Sequence, residues 1–133
     1  MPVATVEDTG EATLTVTEET IDAYADLVGD DNPIHRDEEY ASETMFGGRV
    51  AHGMLTAGVV SAALADLPGD IVYLSQDADF EKPVRPGQTV RATATVVEEL
   101  GSDRLRVQTI AEVEGEQVLS GTAVVLSLAH EAE

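Results

Sequence analysis

Apolar residues recur along this chain at two periods, and the change of period divides it. From residue 90 onward the period is two. Val90, Ala92, Ala94 and Val96 alternate with Arg91, Thr93 and Thr95, and Leu105, Val107, Thr109, Ala111 and Val113 form one face of a second run. Such alternation predicts half-buried strands. Gly101-Ser102-Asp103 and Glu114-Gly115-Glu116 turn the chain, and Gln117 to Leu128 reads as a closing strand. Earlier the period is helical. Ile21, Tyr24, Ala25 and Val28 share a face, Thr17 is placed as N-cap before acidic residues, and Gly29 ends the segment. Ala12 to Val16 is a candidate first strand, Asp30 to His35 a polar loop, and Asp37 to Thr44 a short helix. Gly53 to Ala65 is the longest apolar stretch. It is apolar almost all round, which predicts a buried helix, and its small residues would let a sheet wrap closely around it. Pro68-Gly69 stops it. Ile71 to Phe80 reads as a strand, and Pro83 to Gly87 as a proline-interrupted connection. Long strands with short turns, plus one buried helix, predict an α+β fold: a single domain over 1–133 with an antiparallel sheet around a central helix.

Composition narrows the class. The chain has 133 residues and is 43% hydrophobic, enough for one core without staples. It has no cysteine, which excludes disulfides and thiolate chemistry. No apolar run is long enough to span a bilayer and no signal segment is evident at the N-terminus, so the expected location is cytoplasmic. The net charge is −19, from 26 acidic and 7 basic residues. Self-repulsion at that density favours a high-salt milieu, where the Debye length shrinks to about 3 Å at 1 M, and a halophilic protein is expected. Nucleic acid and anionic membranes are poor partners, since both need basic patches.

Three features carry candidate chemistry. Asp30 and His35 share a loop stiffened by Asn32-Pro33, and a carboxylate with an imidazole can bind and deprotonate water. A plain turn after a helix explains the same residues. Gly53 heads the apolar helix, whose first N–H groups lack internal partners and suit a developing oxyanion. It also simply lets the chain turn into the helix. Ser61, mid-helix, either supports the site or bonds back to the preceding turn.

Taken together, Gly29-Asp30-Asp31-Asn32-Pro33-Ile34-His35-Arg36-Asp37, then Ala51-His52-Gly53-Met54-Leu55 and Ser61, resemble the signature of MaoC-like (R)-specific enoyl-CoA hydratases. Asp79-Phe80-Glu81-Lys82-Pro83-Val84-Arg85-Pro86-Gly87 resembles that family's strand-loop segment. The resemblance covers nearly the whole chain. It implies a hot-dog fold and pairing into homodimers or higher oligomers with joined sheets. It implies that Asp30, five residues before His35, is the catalytic acid rather than Asp31, with His35 as its partner, Gly53 as the oxyanion donor and Ser61 in support. Arg49, His52, Lys82 and Arg85 are the candidate contacts to an acyl-CoA substrate.

The expected reaction is reversible addition of water across a trans-2-enoyl-CoA to give an (R)-3-hydroxyacyl-CoA, in fatty-acid or polyhydroxyalkanoate metabolism. No cofactor is expected, since coenzyme A belongs to the substrate. Rival readings are an acyl-CoA thioesterase, a dehydratase acting on acyl-carrier-protein substrates, and a non-catalytic acyl-CoA-binding protein. No metal site is expected, because no pair among His35, His52 and His130 has ligand spacing in the sequence, and His130 falls in a polar tail expected to fray. Leu27, Tyr40 and Met45 are candidates for lining the acyl tunnel.

Overall fold

The computed structural model describes residues 2–130. The ends of the expected domain, residue 1 and residues 131–133, lie outside them. In chain order the elements are β1 (Thr9–Thr15), α1 (Glu18–Val28), α2 (Pro33–Arg36), α3 (Glu38–Ser42), α4 (Gly53–Ala65), β2 (Asp70–Gln76), β3 (Asp79–Phe80), β4 (Thr89–Gly101), β5 (Arg104–Val113) and β6 (Glu116–Leu128). The sheet is antiparallel in the order β1-β4-β5-β6-β2, with β3 also pairing to β6. It curls around α4, the α+β hot-dog arrangement that the sequence implies.

Alternation sets the sheet's inner face. Val90, Ala92, Ala94 and Val96 of β4, with Leu105, Val107, Thr109 and Ala111 of β5, are buried, and Arg91 points out. Burying each large aliphatic side chain here stabilises by about 1.5–3 kcal/mol. Both tight hairpins are two-residue turns with positive φ, at Ser102-Asp103 and Glu114-Gly115, the backbone hand that matches strand twist. The helix packs closely because β1 carries Gly10: a Cβ there would lie 2.2 Å from the carbonyl oxygen of Ala63 on α4.

Thr17 caps α1 as expected, its side chain accepting from the Thr20 N–H, and Gly29 ends the helix in the left-handed region at φ 82°. Four expectations need correction. The segment from Asp30 to His35 is not all loop. Pro33 opens the short helix α2, and the Asn32 side chain caps it by accepting from Ile34 N–H. The strand expected over Ile71 to Phe80 is two, β2 and β3, with a register shift between Tyr73 and Ser75. The central helix is not buried all round. Val59, Val60, Ala63 and Leu64 face the sheet, whereas Met54, Gly58, Ala62 and Ala65 are exposed. Finally, His130 is tied down, with Nδ1 3.0 Å from a carboxylate oxygen of Asp70.

Candidate active site

The loop between α1 and α2 and the entry to α4 meet at the rim of the sheet, where a cavity of about 480 Å³ opens. His35, Val50, Gly53, Thr56, Phe80 and Lys82 are among its lining residues. His35 is 8% exposed, and its Nδ1 lies 2.8 Å from the carbonyl oxygen of Val50. That carbonyl can only accept, so Nδ1 carries the proton and Nε2 keeps its lone pair. Burial pushes the His35 imidazole below its ordinary range. The Val50 hydrogen bond and the charge of Asp30 oppose this shift, and His52 adds to it.

Asp30 is exposed, and its Oδ1 accepts from Asn32 N–H at 3.3 Å. One ligand atom each from Asp30, His35 and His52 falls within a 4.8 Å cluster. Asp31 turns elsewhere, to Arg36 Nε at 3.8 Å. Adjacent in sequence, the two acids thus face different neighbours.

His52 was missed as a partner of His35 because the two are far apart in sequence. The fold stacks their rings at 3.9 Å between centroids and 27° between planes. The absence of ligand spacing in the sequence did not reveal this contact. His52 is also not a surface contact for substrate. It is 2% exposed, with Nε2 3.0 Å from the backbone oxygen of Asp30.

Gly53 is the first residue of α4, and His52 provides no side-chain cap for the helix, so its leading N–H groups remain available. The space where a Gly53 side chain would go is filled by the Phe80 ring, whose Cε1 lies 2.8 Å from an ideal Cβ. A side chain at position 53 would have to displace the Phe80 ring, a contact invisible in local sequence.

The other candidates divide. Ser61 lines a second cavity of about 380 Å³ with Met54, Gly58, Tyr73 and Gln76, so within one copy it does not join Asp30 and His35. Arg49 is 7% exposed, and its guanidinium is consumed internally: Nε donates to the His35 carbonyl at 2.7 Å, and Nη2 meets Asp22 at 2.7 Å. It straps the turn that carries His35 to α1 instead of reaching a phosphate. Arg85 donates to the Phe46 carbonyl. Lys82 lines the His35 cavity and pairs with Glu116 at 2.6 Å, an exposed pair that a competing anion can replace at little cost. Of the proposed tunnel residues, Met45 borders this cavity.

The chain is similar to several known proteins. An (R)-specific enoyl-CoA hydratase of Rhodospirillum rubrum is 42% identical over 115 residues, covering 84% of this chain and 80% of that one. A 3-hydroxybutyryl-CoA dehydratase of Methylorubrum extorquens is 44% identical over 105 residues, covering 77% and 67%. The unliganded R-hydratase of Pseudomonas aeruginosa superposes with a TM-score of 0.87 at 32% identity, covering 99% of this chain and 93% of that one. Residues 4–122 match the MaoC like domain, and the chain belongs to that family.

Proposed function

We propose that the protein hydrates trans-2-enoyl-CoA to (R)-3-hydroxyacyl-CoA, and catalyses the reverse dehydration. The observation that carries this reading is the meeting of Asp30 and His35 beside the open N–H groups that head α4. A water held between the Asp30 carboxylate and His35 Nε2 adds through its oxygen to C3. Asp30 takes the proton that this water loses. Asp30 then returns that proton to C2, while His35 Nε2 accepts a hydrogen bond from the water and orients it, so the elements of one water are added and no redox partner is needed. Gly53 N–H holds the thioester oxygen as charge moves onto it, an interaction stronger in the transition state than in the ground state.

Strong net negative charge rules out long-range attraction as the source of affinity for anionic coenzyme A. Local contacts supply it, and Lys82 at the cavity is the cation best placed to do so. The substrate half of the reading extends to assembly. Strand β2 is a sheet edge with Val72, Tyr73 and Leu74 exposed, next to the open face of α4. A second copy pairing along this edge would cover both, giving a homodimer. Incubation with crotonyl-CoA tests the chemistry. Loss of the enoyl absorbance without release of free thiol supports hydration, and stoichiometric thiol release indicates a thioesterase instead.

A further inference from the structure

We propose that His52 is a positioning residue for this reaction: its Nε2–H holds the Asp30 carbonyl while its ring face backs His35, so that one side chain sets both members of the pair. The inference rests on the reading of Asp30 and His35 as the catalytic groups. Its geometry is independent of that reading. His52 lies between two rings, 4.8 Å from Tyr24 at 57° and 3.9 Å from His35 at 27°. Its Nε2 is 3.0 Å from the Asp30 oxygen.

A second observation separates this role from mere packing. Among the described residues, His52 Nδ1 is buried with no hydrogen-bond partner. An unmade buried hydrogen bond is costly, and a phenylalanine would fill the gap between Tyr24 and His35 without that penalty. What imidazole adds over phenyl is the Nε2–H directed at Asp30. The Asp30 carbonyl belongs to the residue that carries the acid, so this bond fixes the backbone from which the carboxylate projects. A misplacement of about 1 Å at such a centre costs roughly a hundredfold in rate.

The ring face has its own consequence. His35 is surrounded by Asp30 on its loop, His52 at the head of α4, the Arg49 guanidinium on its own carbonyl, and Glu81 and Lys82 across the cavity. Among these, His52 joins burial in disfavouring the charged form of His35, and Asp30 opposes it. Removing the stacked imidazole both relieves that influence and admits water, and both changes favour protonated His35.

Two variants separate the functions. His52→Gln keeps an N–H donor near the Asp30 carbonyl and removes the stacked ring. His52→Phe keeps a ring and removes the donor. For His52→Gln the acidic limb of kcat/KM is expected to move to higher pH, with turnover at the plateau falling less than tenfold. For His52→Phe, kcat is expected to fall tenfold or more with KM within about threefold. A purely structural role would lower the melting temperature of both without moving the limb. An unmoved limb in His52→Gln overturns the proposal, whatever the phenylalanine variant does, so misfolding of the latter leaves the test intact. Asp30→Asn measured alongside keeps the two readings apart. Wild-type turnover in that variant overturns the catalytic assignment and this inference together. Loss of turnover there, with an unmoved limb in His52→Gln, overturns this inference alone.

Discussion

The proton lost by the attacking water has two acceptors within reach, the Asp30 carboxylate and His35 Nε2, and their surroundings assign them different work. Asp30 is exposed, whereas His35 is buried and held below its ordinary range chiefly by desolvation. Losing a general base costs about a hundredfold or more. Asp31→Asn should therefore leave turnover within about twofold, because Asp31 faces Arg36; initial rates on an enoyl-CoA check this. The shift at His35 also has a sign for stability. Its folded-state pKa lies below the unfolded value of about 6.5, so at lower pH the unfolded chain binds the extra proton first. The stability this contributes is complete above that value and is lost as pH falls from there through the folded value. His35→Gln should flatten the decline between pH 7 and 5 in urea midpoints. Sequence made the loop pair legible because both residues sit on one proline-stiffened turn. It hid His52, since stacking between residues 35 and 52 is created by the fold and has no period to detect.

Among the elements, α4 determines both how tightly the sheet closes and where its chemistry sits. Gly10 lets β1 pass across Ala63, and Gly10→Ala must push strand from helix, since backbone is the obstacle. Overpacking of this kind costs about 1–3 kcal/mol or more, and a thermal melt should show a drop of several degrees. The strap from Arg49 to α1 is the other fixed point. Arg49→Lys loses the fork that reaches the His35 carbonyl and Asp22 together, and is expected to destabilise by about 1–3 kcal/mol in denaturant titration while lowering turnover. Arg49 read as a phosphate contact in the sequence because a lone cation near a site looks the same whether it points in or out. The limits of α4, Gly53–Ala65, were legible from its glycine start and its apolar run. Its open side was not, because an unbroken apolar pattern cannot say which face the sheet leaves uncovered. The register shift inside β2, at Tyr73 and Ser75, was likewise hidden, as was the end of β2 at Gln76, which leaves two residues before β3 begins.

At the scale of the whole molecule, charge dominates. Of the cations, Arg36, Arg49, Lys82, Arg91 and Arg106 are each paired with acids, and the surplus of acidic groups repels itself across the surface. Screening should relieve this, so the melting temperature is expected to rise steadily from dilute buffer to molar salt. A flat or falling trend would show that the acidic surface is not the limiting term. Pairing through β2 and the open face of α4 is expected to give a particle of twice the chain mass in sedimentation. Leu74→Lys on that edge should shift it toward the single chain.

The central claim is that Asp30 activates water for addition to an enoyl thioester. It is tested most directly by comparing wild type with Asp30→Asn on crotonyl-CoA in molar salt, following enoyl absorbance, free thiol and product chirality. The expected result is an (R)-3-hydroxy product without thiol from the wild type, and at least a hundredfold loss in a variant that melts normally. Equal rates in the two proteins, or thiol release in step with the absorbance change, would contradict it.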